Sequence, residues 1–195
     1  MSYEIATASG RSRSLKLALG VAAVAMLSYS PPRAAAAALE PSSVFVQLGA
    51  GDQETTAYLF GATWDLPWRW DFRVGSVSAY FEGACGRWTT HKTHSDTAWP
   101  TQLSLTPVVR LRPMRLPNYF LELGVGANYI VPVFDSGEKR FSTEFNFGDH
   151  VAVGRTFGGR HPSELAVRLE HFSNAGIEHP NPGENFLQVR YSLRL

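Results

Sequence analysis

Hydrophobic and polar residues alternate along most of the chain from about residue 43 onward. In the final segment Leu187, Val189, Tyr191, Leu193 and Leu195 alternate with polar neighbours. A period of two places successive side chains on opposite faces, as in a β-strand that has one apolar face. The pattern therefore predicts an all-β protein.

Eight segments show this alternation, and Gly or Pro clusters separate them. They cover approximately residues 43–50, 55–65, 73–87, 102–112, 118–131, 141–157, 163–173 and 185–195. In an up-and-down order, the turns near Pro67, at 112–117 and at 158–162 lie at the same end as both chain termini. The remaining connections, 51–54, 88–101, 132–140 and 174–184, lie at the opposite end.

Alternation alone does not distinguish a soluble β-barrel or sandwich from a transmembrane barrel. An even strand count, segments of about 10 residues and aromatic residues at strand ends favour the membrane. Tyr119 and Tyr129 bracket one segment, and Trp64, Trp68 and Trp70 cluster near a predicted turn. A closed barrel also pairs its backbone groups, as hydrocarbon requires. We predict an eight-stranded antiparallel transmembrane β-barrel, with a secreted soluble barrel as the alternative.

The first 38 residues have a different character. Arg11 and Arg13 precede an apolar run, "LKLALGVAAVAML", which an Ala-rich stretch follows. This order is typical of a cleaved secretory signal peptide, and the run is shorter than the roughly 20 residues of a membrane-spanning helix. We predict a signal peptide at 1–38 and one barrel domain at 39–195, located in the bacterial outer membrane.

Charge and cysteine content exclude some functions. The chain has a formal net charge of +1, and residues 1–38 hold four basic residues and one acidic residue. The weakly acidic remainder gives no indication of a nucleic-acid partner. Cys85 is the only cysteine, so no internal disulfide forms.

Because side chains fill an eight-stranded barrel, we expect no general pore. Charges of inward parity should pair inside it: Glu82, Arg110, Glu122, Arg168, Glu170, Arg190 and Arg194.

Segment 163–173 carries polar residues on its apolar face. After three aliphatic residues the same face continues with His171 and Ser173. A polar group on a lipid-facing wall costs free energy unless it is hydrogen-bonded. Two such groups on one lipid-facing strand therefore indicate a functional site. Residues at i and i+2 have Cα atoms about 6.5–7 Å apart. A His that takes the proton of a nearby Ser is the minimum unit for nucleophilic attack on an ester, although a bare H-x-S is common.

The surrounding sequence makes this pair more specific. The stretch "HFSNAGIEHPNPGEN", residues 171–185, resembles the signature of the outer-membrane lipid A 3-O-deacylase family, in which His-x-Ser-Asn-Ala-Gly precedes a Pro-Asn-x-Gly loop. Weaker similarity, including "FNFGDHVAVG", extends through the predicted barrel. The resemblance implies an esterase that removes the 3-hydroxy acyl chain at position 3 of lipid A. Ser173 would be its nucleophile and His171 its base.

Two further roles need residues. We assign the oxyanion hole to the backbone N–H groups of Ala175 and Gly176, with Asn174 shaping the turn or donating its amide. The family has a Glu that orients the His, but this chain has Asn185 at that position. The adjacent Glu184 is the predicted third catalytic residue, provided that a bulge or a late strand start brings it to His171. Asn185 is the alternative, and Glu178 is a further candidate.

No metal or other cofactor is expected. His91, His94 and Asp96 lie in a polar loop without an ordered ligand set. The expected partners are the lipid A of lipopolysaccharide as substrate and the lipids of the outer membrane, but no nucleic acid; a homodimer stays open. The alternative function is that of a non-catalytic small outer-membrane barrel with a structural or adhesion role.

Overall fold

The computed structural model describes residues 40–91 and 97–195. The predicted signal peptide at 1–38 and the loop residues His94 and Asp96 lie outside the described residues. The strands are β1 (Ser43–Gly51), β2 (Thr56–Phe72), β3 (Gly75–His91), β4 (Thr97–Ala98), β5 (Thr101–Pro113), β6 (Tyr119–Val131), β7 (Phe145–Phe157), β8 (Ser163–Ser173) and β9 (Glu184–Arg194). No helix in the described part of the chain is long and apolar enough to span a membrane.

Eight long strands form a closed antiparallel barrel. Each pairs with its neighbours in the chain, and β1 pairs with β9 to complete the ring. The two-residue β4 only extends the hairpin at the end of β3. The predicted eight-stranded antiparallel barrel is confirmed.

The two faces of the barrel wall have opposite character. Every second residue of β6 is exposed and the others are buried, without a break over 13 residues. Its exposed residues include Leu121, Leu123 and Val125, whereas Glu122 and Asn128 are buried inside. An apolar outside around a polar inside is the arrangement of a membrane barrel, because lipid surrounds the outer wall.

The predicted turn near Pro67 is wrong. β2 continues to Phe72, and the turn to β3 lies at residues 73–74. Pairing with β3 is interrupted between Asp65 and Arg69, so Pro67 lies in an irregular part of the strand. Proline has no backbone N–H to donate, and a bulge is where a strand tolerates that loss.

The long-loop end of the barrel carries, among the described residues, the connections 52–55, 132–144 and 174–183, and an aromatic cluster fills the interior there. The ring centroid of Trp88 lies 4.7 to 5.2 Å from those of Phe134, Phe172 and Phe186. Phe141, from the β6–β7 connection, packs at 5.1 Å from Phe134. We call these five residues the aromatic plug.

Charged residues fill the interior from the middle of the barrel toward the short-turn end, which carries the turns at 73–74, 114–118 and 158–162. Glu82 accepts paired hydrogen bonds from the guanidinium groups of both Arg168 and Arg190, at 2.6 to 3.0 Å. Arg110 bonds in the same way to Glu164 and also contacts Glu122. We call these six residues the ion-pair network. Five of them were predicted to pair inside the barrel, and that prediction is confirmed for Glu82, Arg110, Glu122, Arg168 and Arg190; Glu164 was not predicted. Arg194 instead pairs with Asp65.

Candidate active site

His171 and Ser173 lie near the long-loop end of β8, on its outward face. The exposed aliphatic residues Leu165, Val167 and Leu169 precede them on that face, and Ser173 is the last residue of the strand. Both side chains are half-buried, whereas Phe172 between them points inward. The structure therefore places the pair on the outer wall, as the sequence predicts.

The imidazole of His171 is held from β9. His171 and Asn185 are directly opposite each other in the β8–β9 ladder. The His171 Nδ1 atom lies 2.7 Å from the Asn185 Oδ1 atom. Because an amide oxygen can only accept, Nδ1 carries the proton and Nε2 keeps its lone pair. This is the tautomer that a general base needs.

The prediction that Glu184 orients His171 is wrong. β9 begins at Glu184 as a regular strand, so alternation sends residues 184 and 185 to opposite faces. The Glu184 side chain is fully buried inside the barrel, and its Oε2 atom accepts a hydrogen bond from Lys139 at 3.2 Å. Glu178 lies exposed in the β8–β9 connection. The residue that the structure brings to His171 is Asn185, the alternative.

Gly183 packs directly against the His171 ring. Its φ is +67°, a conformation that other residues rarely adopt. A Cβ atom at this position would lie 2.6 Å from the His171 Cε1 atom and 3.2 Å from Nε2. Both the backbone conformation and the available space therefore require glycine beside the imidazole.

Three ionisable groups lie behind Asn185, and we call them the acid–lysine cluster: Asp52, Lys139 and Glu184. The Asn185 Nδ2 atom donates to the Asp52 carboxylate at 3.4 Å, and Lys139 donates to the same carboxylate at 2.7 Å. The Lys139 hydrogen bond lowers the pKa of Asp52 below its usual value. Partial burial lowers the pKa of Lys139, but its bonds to Asp52 and Glu184 outweigh this and raise it. Asp52 was not among the residues predicted from the sequence.

The turn after Ser173 has an unusual backbone. Ala175 and Gly176 have φ angles of +56° and +78°. Asn174 is buried, and its Nδ2 atom donates to the Ser142 hydroxyl and to the Glu178 carbonyl, each at 2.9 Å. The Gly176 N–H in turn donates to the Asn174 Oδ1 atom at 2.9 Å.

These contacts change the predicted oxyanion hole. The Gly176 N–H, which the sequence analysis assigned to the oxyanion hole, and the Asn174 amide are both hydrogen-bonded within the turn in this structure. Asn174 instead shapes the turn, which was its alternative role. The Ala175 N–H has no hydrogen-bond partner among the described residues.

Asn181 is a residue to which the sequence analysis gave no role. Its Oδ1 atom accepts from the Asn174 N–H at 3.1 Å, so its amide lies beside the backbone that follows Ser173. Its Nδ2 atom has no hydrogen-bond partner in the part of the chain that the structure describes. The available signal was only its place in the Pro-Asn-x-Gly loop.

A second acid flanks the site from β7. Asp149 is opposite His171 in the β7–β8 ladder and is exposed on the outer wall. Two pairs further along the ladder, Phe147 is opposite Ser173. His171 therefore lies between a carboxylate on β7 and an amide on β9, and only the amide is hydrogen-bonded to it.

Comparison with known proteins agrees with this site and fold. A family model described as lipid A 3-O-deacylase (PagL) matches residues 56–194. The lipid A deacylase PagL of Bordetella bronchiseptica is 30% identical over 159 residues, covering 77% of this chain and 82% of the relative. The lipid A deacylase PagL of Pseudomonas aeruginosa is 27% identical over 169 residues, covering 80% and 88%.

A solved structure supports the fold. The crystal structure of the outer membrane enzyme PagL superimposes with a TM-score of 0.69 at 24% identity, covering 78% of this chain and 99% of that chain. The apolar outer wall and these relatives make the protein an outer-membrane β-barrel. The matched family confirms the resemblance of the His-x-Ser-Asn-Ala-Gly stretch. The chain belongs to the lipid A 3-O-deacylase (PagL) family.

Proposed function

We propose that the protein hydrolyses the ester at position 3 of lipid A and releases a 3-hydroxy fatty acid, with Ser173 as nucleophile and His171 as general base. Its family and the names of its curated relatives support this substrate. The observation that carries the mechanism is the His171–Asn185 hydrogen bond on the outer wall, two residues from Ser173. That bond leaves the lone pair of Nε2 available for the serine proton.

In this mechanism the Ser173 Oγ atom attacks the ester carbonyl while His171 Nε2 takes its proton. The tetrahedral intermediate collapses as Nε2 gives that proton to the departing sugar oxygen. Water, deprotonated by the same imidazole, then hydrolyses the acyl-enzyme and releases the fatty acid. Ser173 and His171 are not hydrogen-bonded to each other in this structure, and such contacts often tighten only when substrate is bound.

Two donors remain for the oxyanion. They are the Ala175 N–H and the Asn181 Nδ2 group, whereas the Gly176 N–H and the Asn174 amide are hydrogen-bonded within the turn. Both belong to the connection that follows Ser173. Preorganised donors at this point would stabilise the negative charge that develops on the carbonyl oxygen.

The position of the pair fits a lipid ester. Ser173 lies on the outer wall near the long-loop end, and long loops face the cell exterior in outer-membrane barrels. Lipid A esters lie just below the headgroups of the outer leaflet. The substrate would therefore reach the serine from the surrounding membrane and not through the barrel, whose interior is filled.

The test is release of 3-hydroxy fatty acid from lipopolysaccharide by the purified barrel in detergent, measured by mass spectrometry. Ser173→Ala and His171→Asn should each abolish release while heat-modifiable migration of the folded barrel is kept. Ser163→Ala is the matched control, since that serine is at the opposite end of the same strand. If wild-type protein releases no fatty acid, the non-catalytic alternative stands; if both variants stay active, the dyad is wrong.

A further inference from the structure

The partner of His171 is a neutral amide. In a serine hydrolase the imidazole becomes positively charged as it takes the serine proton, and a carboxylate on Nδ1 normally stabilises that charge. The Asn185 carbonyl supplies only a dipole, at 2.7 Å from Nδ1. The negative charge that the mechanism calls for must therefore come from another group.

Asp52 lies one hydrogen bond behind this amide. The Asn185 amide bonds to His171 through its oxygen and to the Asp52 carboxylate through its nitrogen, the latter at 3.4 Å. A closed turn holds Asp52, since the Asp52 carbonyl accepts from the Thr55 N–H at 3.0 Å. Its carboxylate is also fixed by the Lys139 ammonium at 2.7 Å.

The carboxylate also determines which way the amide points. With the amide reversed, its oxygen would face the Asp52 carboxylate and its N–H₂ group would face the Nδ1–H of His171. Both contacts would then join like partners, acceptor to acceptor and donor to donor. A fixed anion behind Asn185 therefore keeps the carbonyl directed at His171.

We propose that Asp52 is a positioning residue for the reaction, acting through Asn185 to hold the His171 tautomer and to supply the negative charge that stabilises the imidazolium. Asn185 and Asp52 together would then replace the single Glu of the family pattern. This inference rests on the proposed Ser173–His171 mechanism.

Other charges also lie near His171. Asp149 faces it from β7, and Lys139 lies beyond Asp52 from the β6–β7 connection. Glu184 on β9, buried inside the barrel, shares this Lys139 ammonium at 3.2 Å. Asp149 makes no hydrogen bond to His171 or Asn185 among the described residues, whereas Asp52 is joined to His171 by an unbroken chain of two hydrogen bonds. Asp52 stays ionised throughout the neutral range because the Lys139 hydrogen bond lowers its pKa.

An exchange of the two side chains tests the proposal. Asp52→Asn should lower kcat about tenfold, an effect typical of residues that share one hydrogen-bond network, with KM unchanged. The acid limb of the pH–rate profile should move to lower pH, because the imidazolium loses its stabilising charge. Adding Asn185→Asp to Asp52→Asn places the carboxylate directly on His171 and the amide behind it. This double variant should regain at least the wild-type kcat and acid limb.

A purely structural role of Asp52 in its turn would not be rescued from Asn185, so absence of recovery in the double variant would overturn the proposal. Unchanged kcat and pH profile in Asp52→Asn would do so too. Glu54→Gln, in the same turn, is the control and should match wild type. A loss confined to Asp149→Asn would assign the charge to β7 and refute the role of Asp52. Each variant must first show the heat-modifiable migration of a folded barrel.

Failure of the proposed function gives a different result. A wild-type barrel that releases no fatty acid refutes the esterase and this inference together. An active wild type that loses activity in Ser173→Ala, but not in Asp52→Asn, refutes the inference alone.

Discussion

The two parts of the barrel interior are stabilised by different interactions. The aromatic plug packs by shape, with ring centroids about 5 Å apart, whereas the ion-pair network joins named atoms through paired hydrogen bonds. The plug lies under the site: Phe172 alternates with His171 and Ser173 on β8, and Phe186 follows Asn185 on β9. The plug therefore positions the reacting strands, while the network secures the barrel beyond them.

This difference separates stability from activity. Loss of a network residue should weaken the barrel and leave the outer wall of β8 and β9 in place. Loss of a plug residue should change both properties, because small displacements of reacting groups have large effects on rate. The following experiments test that separation, beginning with the largest expected effect.

Glu82→Gln should destabilise the barrel by about 3–5 kcal/mol, because Arg168 and Arg190 stay buried without their shared counter-charge. Activity per folded molecule should stay within about twofold of wild type. Urea unfolding in detergent micelles measures the first quantity and fatty-acid release the second. Asp71→Asn breaks the exposed Arg69–Asp71 pair and should cost less than about 1 kcal/mol. Equal losses of stability in Glu82→Gln and Asp71→Asn would contradict a stabilising role of the ion-pair network.

Phe172→Leu should cost about 1–2 kcal/mol of stability and lower kcat about tenfold, since the flanking His171 and Ser173 lose their fixed backbone positions. Phe45→Leu is the matched variant: Phe45 is also buried, but it packs on Arg190 of the network. It should lose similar stability and retain kcat. If both variants lose kcat equally, the aromatic plug and the ion-pair network do not differ in their effect on catalysis.

Gly183→Ala should reduce kcat about tenfold with a stability loss of about 1 kcal/mol, because the positive φ and the 2.6 Å approach to His171 both disfavour a side chain. Gly159→Ala, in the opposite short turn, adds a Cβ with no atom within 4 Å. Its activity should equal that of wild type. A fully active Gly183→Ala enzyme would show that the imidazole can shift without penalty.

The smallest effect concerns pH. Because the pKa of Asp52 is lowered from 3.8, its stabilising bond to Lys139 is fully present above that value and is lost as the pH falls through the lowered pKa. Between about pH 5 and pH 3.8 the difference in unfolding midpoint between wild type and Asp52→Asn should therefore stay constant. It should shrink only below pH 3.8. A difference that already shrinks between about pH 5 and pH 3.8 would contradict the lowered pKa of Asp52.

The period of two was sufficient to predict eight strands and the faces of the barrel, because burial in a membrane barrel follows parity directly. It also placed His171 and Ser173 on the outer wall. It failed at the end of β2, where the irregular pairing around Pro67 breaks the alternation. It was not sufficient for Glu184 and Asn185, because their roles depend on the residue at which β9 begins. The contact of Asn185 with Asp52 joins residues 133 positions apart, and no local pattern indicates it. The turn contacts of Asn174 were likewise unpredictable, since they involve the distant Ser142.

The outward placement of Ser173 also affects how the proposed reaction is supplied. A nucleophile on the wall of a barrel meets its ester by lateral diffusion within one leaflet. Its turnover would follow the mole fraction of lipopolysaccharide in that leaflet or micelle, and dilution of the lipid with inert detergent would slow it even at constant bulk concentration.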